Sequence, residues 1–163
     1  LSVVTGGSIL FLYENTYLLL LIPVVMFVRM ALNAIDGMLA KEHNMKTRLG
    51  NILNELGDVV SDACLFLPFA CIPGFSVILI VLVVIVSMIS EMAGVMGIVI
   101  GASRRYDGPM GKSDRAFLFG LLAIFAAFDL LLGLWISLIL TVMIFLMIVN
   151  IFIRTHRALK EVN

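Results

Sequence analysis

Two short sets of oxygen-bearing side chains interrupt a chain that is otherwise strongly apolar. Asn33 and Asp36 lie three residues apart, and Asn54, Asp58 and Asp62 lie four apart, with Glu55 beside them. Spacings of three and four place side chains on one face of a helix. Polar groups inside a membrane are costly, and by default they mark a functional site. Carboxylates and amide oxygens suit Mg²⁺ or Mn²⁺, which also accept phosphate oxygens as ligands. Gly37, Ala40, Gly50 and Gly57 are small enough to let a bulky ligand approach the backbone. Lys41, Lys46 and Arg48 bring positive charge between the two sets. Read from the residues alone, this is a metal-dependent site for a phosphorylated substrate at a membrane surface. The bland alternative is solvated carboxylates at helix ends beside small packing residues. It explains a lone pair better than five such residues in two helix-spaced sets.

The elements that must position these residues are membrane helices. Of 163 residues, 62% are hydrophobic and 13% charged, against about a quarter charged in a soluble domain. So much apolar surface needs lipid as its solvent. Residues 16–36 give one span of about the required 20 residues. Residues 63–90 carry no charge but contain Pro68, Pro73 and Gly74, which predicts a hairpin of two helices, about 49–71 and 75–103. Residues 116–153 hold a single charge, Asp129. As one helix they would be about 57 Å long, far beyond a bilayer core, so they fold back near 129–133. Residues 1–13 are too short to span and read as the end of a helix that begins upstream. The expectation is one all-α domain over residues 1–163, a polytopic bundle with five full spans and an incomplete first helix.

Ten of the 11 basic residues fall on one side of this scheme, in 41–48, 104–115 and 154–160. That side is cytoplasmic by the positive-inside rule. Net charge is zero, so no basic excess points to nucleic acid. Cys64 and Cys71 read as buried packing thiols, and no Cys/His spacing suggests zinc. His43 and His156 read as solvated, Gly97 and Gly101 as a helix-packing pair, and Trp135 as an interfacial anchor. Glu91, inside an apolar run, must be protonated, paired with Arg29, or facing a polar cavity. Arg104, Arg105, Lys112 and Arg115 read as positive-inside anchors or as a pocket for an acceptor phosphate or lipid headgroup.

The stretch from Asn33 to Asp58 resembles the signature of the CDP-alcohol phosphatidyltransferase family, Asp-x2-Asp-Gly-x2-Ala-Arg-x8-Gly-x3-Asp-x3-Asp. This chain reads Asn33-x2-Asp36-Gly37-x2-Ala40-Lys41-x8-Gly50-x3-Asn54-x3-Asp58 without a gap. Asn33, Asn54 and Lys41 depart from the pattern, and Asn ligates without bringing charge. A gapped register would instead make Asp58 and Asp62 the last two aspartates. The resemblance implies six helices and an enzyme of phospholipid biosynthesis. It implies two Mg²⁺ or Mn²⁺ ions on Asn33, Asp36, Asn54, Asp58 and Asp62, with Gly37, Ala40, Lys41 and Gly50 framing the CDP group. The base is then Asp58, or Asp62 in the other register. The expected partners are CDP-diacylglycerol or another CDP-alcohol, a small polar acceptor alcohol and membrane lipids. A second copy of the chain is left open. The two asparagines leave a second reading, a non-catalytic nucleotide- or lipid-binding member in the same membrane. A transporter fits less well, because the polar residues gather near one face. The expected location is a bacterial inner membrane with the site on the cytoplasmic face.

The topology is checked by cysteine labelling in a Cys64→Ala/Cys71→Ala background. An impermeant maleimide should reach His43→Cys and Ser113→Cys from the cytoplasmic side only. Labelling of either from the outside breaks the scheme.

Overall fold

The computed structural model describes residues 2–11, 16–42, 47–130 and 133–163. They form six α-helices: α1 (Ser2–Phe11), α2 (Leu21–Glu42), α3 (Arg48–Phe66), α4 (Val77–Val99), α5 (Lys112–Ala127) and α6 (Gly133–Val162). Short 3-10 helices, Thr16–Leu20 and Leu67–Cys71, precede α2 and follow α3. No strand occurs among the described residues, so the protein is all-α, as its hydrophobic pattern requires.

The chain divides into two compact units. The first comprises Leu1–Pro68 and Ala116–Leu130. Within it α1 packs on α3 and α2. Gly6 makes the contact with α3 close, because a Cβ there would overlap the backbone carbonyl of Cys64. Phe66 of α3 stacks on Phe119 of α5 with ring centroids 4.0 Å apart. Pro23 is the third residue of α2, in the first turn, where a missing N–H breaks no helical bond. Thr47 caps α3, its hydroxyl accepting from the Gly50 amide at 3.0 Å.

The second unit comprises Phe69–Arg115 and Leu131–Asn163, and α4 packs along α6 in it. The buried positions of α6 are Ile136, Leu140, Met143, Met147, Asn150, Arg154 and Ala158. From Ile136 to Arg154 the intervals alternate between four and three, a coiled-coil-like seam. The seam is apolar through Met147 and turns polar at Asn150 and Arg154. The facing stripe of α4 runs through Ile80, Val83, Val84, Ser87, Ser90, Gly94 and Gly97. Gly97 packs as expected, against the Ser103 carbonyl and Ala158. Gly101 does not; it follows α4 with φ 88° and turns the chain.

Among the described residues three helices are long and apolar enough to cross a membrane: Tyr17–Leu39, Val77–Val99 and Gly133–Val162. Their outward residues, such as Phe27, Ile78, Leu134 and Phe145, are exposed, as a lipid-facing surface should be. The other two expected spans fall short by this measure. α3 carries Arg48, Glu55, Asp58 and Asp62, and α5 has 16 residues, about 24 Å against a core of about 30 Å. The fold-back lies where expected, α5 ending at Ala127 and α6 starting at Gly133. Both cysteines are free, but neither is buried as expected: Cys64 is half-buried and Cys71 exposed. His156 is exposed; His43 lies outside the described residues.

Adjacent glycines in α1 test the α1–α3 contact. Gly6→Ala should destabilise by about 1–3 kcal/mol through overpacking. Gly7→Ala meets nothing within 4 Å and should be neutral or stabilising by up to about 1 kcal/mol. The readout is the thermal midpoint in detergent, and equal effects would contradict the packing.

Candidate active site

The carboxylates, amides and guanidinium of the first site come from α2 and α3 in the first unit, with Ser2 of α1 also on the lining. Arg29, Asn33 and Asp36 descend one face of α2 at intervals of four and three. Asn54, Asp58 and Asp62 descend one face of α3 at intervals of four. Two such faces set side by side bring the residues into one polar line. Asn33, Asp36, Asn54 and Asp58 line a single cavity of about 370 Å³, together with Arg29, Gly57 and Ser61. The Asn33 amide donates to Asp58 Oδ1 at 3.0 Å. Asp36 and Asn54 are exposed at the cavity, while Asp58 is partly buried.

Asp62 sits apart from this lining. It is buried and takes a hydrogen bond from Arg29 Nη1 at 2.5 Å. Arg29 Nη2 donates to the Asp58 carbonyl at 3.0 Å and lies 3.4 Å from Asp58 Oδ1. Gly37 and Gly50 are exposed and not part of the lining. The Gly50 amide serves the α3 cap. The side chains of Ala40 and Lys41 lie outside the described residues.

Among the described residues no three carboxylate, His or Cys side chains gather as a cation cage. The cavity instead offers two carboxylates and two amide oxygens. That donor set fits Mg²⁺ or Mn²⁺ as these ions are usually held, by one or two carboxylates with substrate phosphates and water completing the shell.

The second unit holds a separate charge cluster. Glu91 is neither alone nor paired with Arg29. Its Oε1 accepts from Arg115 Nη2 at 2.9 Å and lies 3.6 Å from Arg154 Nη1, and Oε2 is 3.5 Å from Arg104. Arg115 and Arg154 are fully buried. Arg154 also donates to the carbonyls of Ser90 at 2.6 Å and Asp107 at 3.2 Å. Asn150 donates to the Pro109 carbonyl at 2.5 Å, so the polar end of the α6 seam ties down the loop between α4 and α5. Gly94 and Gly97 let that loop close on α4, its Arg105 and Ser103 carbonyls occupying the space a Cβ would need. Arg105 pairs with Glu161 at 2.6 Å and Asp107 at 3.1 Å. Arg157, hydrogen-bonded to Asp107 at 2.6 Å, holds that carboxyl below its usual range, helped by Arg105. Lys112 opens α5.

Sequence reasoning missed Arg29 and Arg154 as members of these clusters. The signal was present: a charge in an apolar helix needs a partner, and Arg29 precedes Asn33 by four residues as Arg154 follows Asn150 by four.

The helices and lipid-facing surface define an integral α-helical membrane protein. A family model described as CDP-alcohol phosphatidyltransferase matches residues 1–156, and the chain belongs to that family. It is similar to "Inner membrane protein YnbA" of Escherichia coli (strain K12), 50% identical over 121 residues, 74% of this chain and 60% of that protein. The matched region thus spans less than two thirds of the relative. Together these place the chain in a bacterial inner membrane. No solved structure matches it.

Glu91→Gln should destabilise the second unit by about 3–5 kcal/mol, because it leaves buried guanidinium groups without their carboxylate. Chemical denaturation in mixed micelles measures this. A loss within about 0.5 kcal/mol, the range of an ordinary surface substitution, would show that Glu91 does not hold the arginines.

Proposed function

We propose that the protein transfers a phosphatidyl or other substituted phosphoryl group from a CDP-alcohol, such as CDP-diacylglycerol, to an acceptor alcohol with release of CMP. The observation that supports this most is the convergence of Asn33, Asp36, Asn54 and Asp58 on one cavity. They occupy the positions where the chain follows the spacing of the family to which it belongs. In this reading the CDP diphosphate sits at that cavity on the cytoplasmic face. Asp36, Asp58 and the amide oxygens of Asn33 and Asn54 would hold Mg²⁺ or Mn²⁺, with Asp62 behind them. A bound divalent cation neutralises phosphate oxygens and favours in-line displacement. Gly37, Ala40, Lys41 and Gly50 frame the nucleotide.

Asp58 takes the proton of the acceptor hydroxyl. The hydroxyl oxygen forms a bond to the β-phosphorus, the anhydride bond to the α-phosphate breaks, and CMP leaves with the bonding pair. Asp58 is preferred to Asp62 as base because Asp58 lines the cavity, whereas Asp62 is buried against Arg29. Arg104, Arg105, Lys112 and Arg115 form an anion-attracting region for an acceptor phosphate or a lipid headgroup. Arg104 and Arg115 share one carboxylate with Arg154.

One observation favours the non-catalytic alternative. Two of the four motif positions carry asparagine, and the amide of Asn33 is spent on Asp58. Incubation with CDP-diacylglycerol, Mn²⁺ and a panel of alcohols, followed by CMP, separates the two. Asp58→Asn should cut CMP release by about 10²–10⁴-fold, the usual cost of losing a positioned base. Asn33→Asp should keep or raise it at high Mn²⁺. Full activity in Asp58→Asn with loss in Asp62→Asn would move the base to Asp62. No CMP from the wild type with any alcohol would support the binding-only reading.

A further inference from the structure

Arg29 places a permanent positive charge among the carboxylates of the α2–α3 site. It is only 13% exposed, and its carboxylate neighbours Asp58 and Asp62 are 18% and 7% exposed. One nitrogen donates to Asp62 Oδ1 at 2.5 Å, and the other to the Asp58 carbonyl at 3.0 Å, close to Asp58 Oδ1 at 3.4 Å. The guanidinium therefore spans one turn of α3, touching both acidic residues of that face. Asn33, one turn further along α2, donates to the same Asp58 oxygen at 3.0 Å.

The charges settle what else this site can hold. Asp36, Asp58 and Asp62 carry three negative charges and Arg29 one positive, so the set is net −2. A single divalent cation balances that. A second would put two further positive charges beside the largely buried Arg29 guanidinium, and like charges that close repel. It would also have to share Asp58 or Asp62 with a guanidinium already in place. Asn33 and Asn54 supply oxygens but no charge to offset it. We infer that this site binds one divalent cation, at Asp36 and Asp58, and that Arg29 is a positioning residue supplying at Asp58 and Asp62 the positive charge of a second.

The inference rests on the reading of the cavity as a divalent-cation site, and counting bound ions tests it apart from turnover. Purified full-length chain in detergent is titrated with Mn²⁺ alone, and free Mn²⁺ is followed by electron paramagnetic resonance. Wild type should bind one equivalent, and so should Arg29→Lys. Arg29→Gln raises the net charge to −3 and should either bind a second equivalent or hold the first at least about tenfold tighter. Asn33→Asp keeps Arg29, so it should still bind one equivalent, about tenfold tighter; it serves if Arg29→Gln does not fold. Two equivalents of similar affinity in the wild type, or in Asn33→Asp, overturn the inference, as does an Arg29→Gln protein that binds like the wild type. Two equivalents with CMP release intact remove only this inference. No bound Mn²⁺ and no CMP release remove the proposed function with it.

Discussion

A guanidinium in the apolar stretch of α2 cannot stay unpaired, and this constraint organises the first unit. Arg29 meets it by reaching Asp58 and Asp62 on α3. Because the contact runs to two residues one turn apart, it fixes the register of α3 against α2 as well as their proximity. Once that register is set, Asn33 falls opposite Asp58, and Asp36 and Asn54 fall on the rim of the same cavity. Desolvating such a pair offsets much of its attraction, so its stabilising contribution is small. Its effect is specificity: sliding either helix by a turn would leave a buried charge without a partner.

The second unit solves the same problem with the opposite sign. Glu91, in the apolar α4, draws Arg104 from the following loop, Arg115 from the start of α5 and Arg154 from α6. The helix seam makes this possible. It is apolar through Met147, and its next inward positions, Asn150 and Arg154, continue the same spacing as polar groups. They satisfy the carbonyls of Pro109, Asp107 and Ser90, backbone groups that need a partner when they are taken from water. Small residues are the other half of the device. At Gly94 and Gly97 the loop backbone comes as close as a side chain would.

Membership of the CDP-alcohol phosphatidyltransferase family and the asparagines at two motif positions pull in different directions. The fold has a cavity lined by two carboxylates, Asp36 and Asp58, and the proposed metal-assisted transfer draws on both. What differs is charge. The site as a whole is less acidic than four aspartates would make it, and part of that acidity is already met by Arg29. In the proposed reading, a site of this kind orders a diphosphate with less electrostatic pull on the cations that accompany it.

Much of this was legible in the sequence because its physical causes are local. The excess of apolar residues required membrane helices, and the Pro-Gly turn and the break near Asp129 placed two of their ends. Intervals of three and four put Asn33 with Asp36, and Asn54 with Asp58 and Asp62, on common faces. Helix periodicity is fixed by the backbone and needs no tertiary information. What the sequence could not decide was which charges neutralise which. The sequence offered Arg29 as a partner for Glu91, and its spacing favoured Asp58 as the base with Asp62 as the alternate. Only the packing of α3 against α2, and of α6 against α4, divided the ions between two units, Arg29 to the aspartates and Arg154 to Glu91. Pairing of charges depends on distances of a few ångströms between residues far apart in the chain, and those distances exist only once the helices have packed.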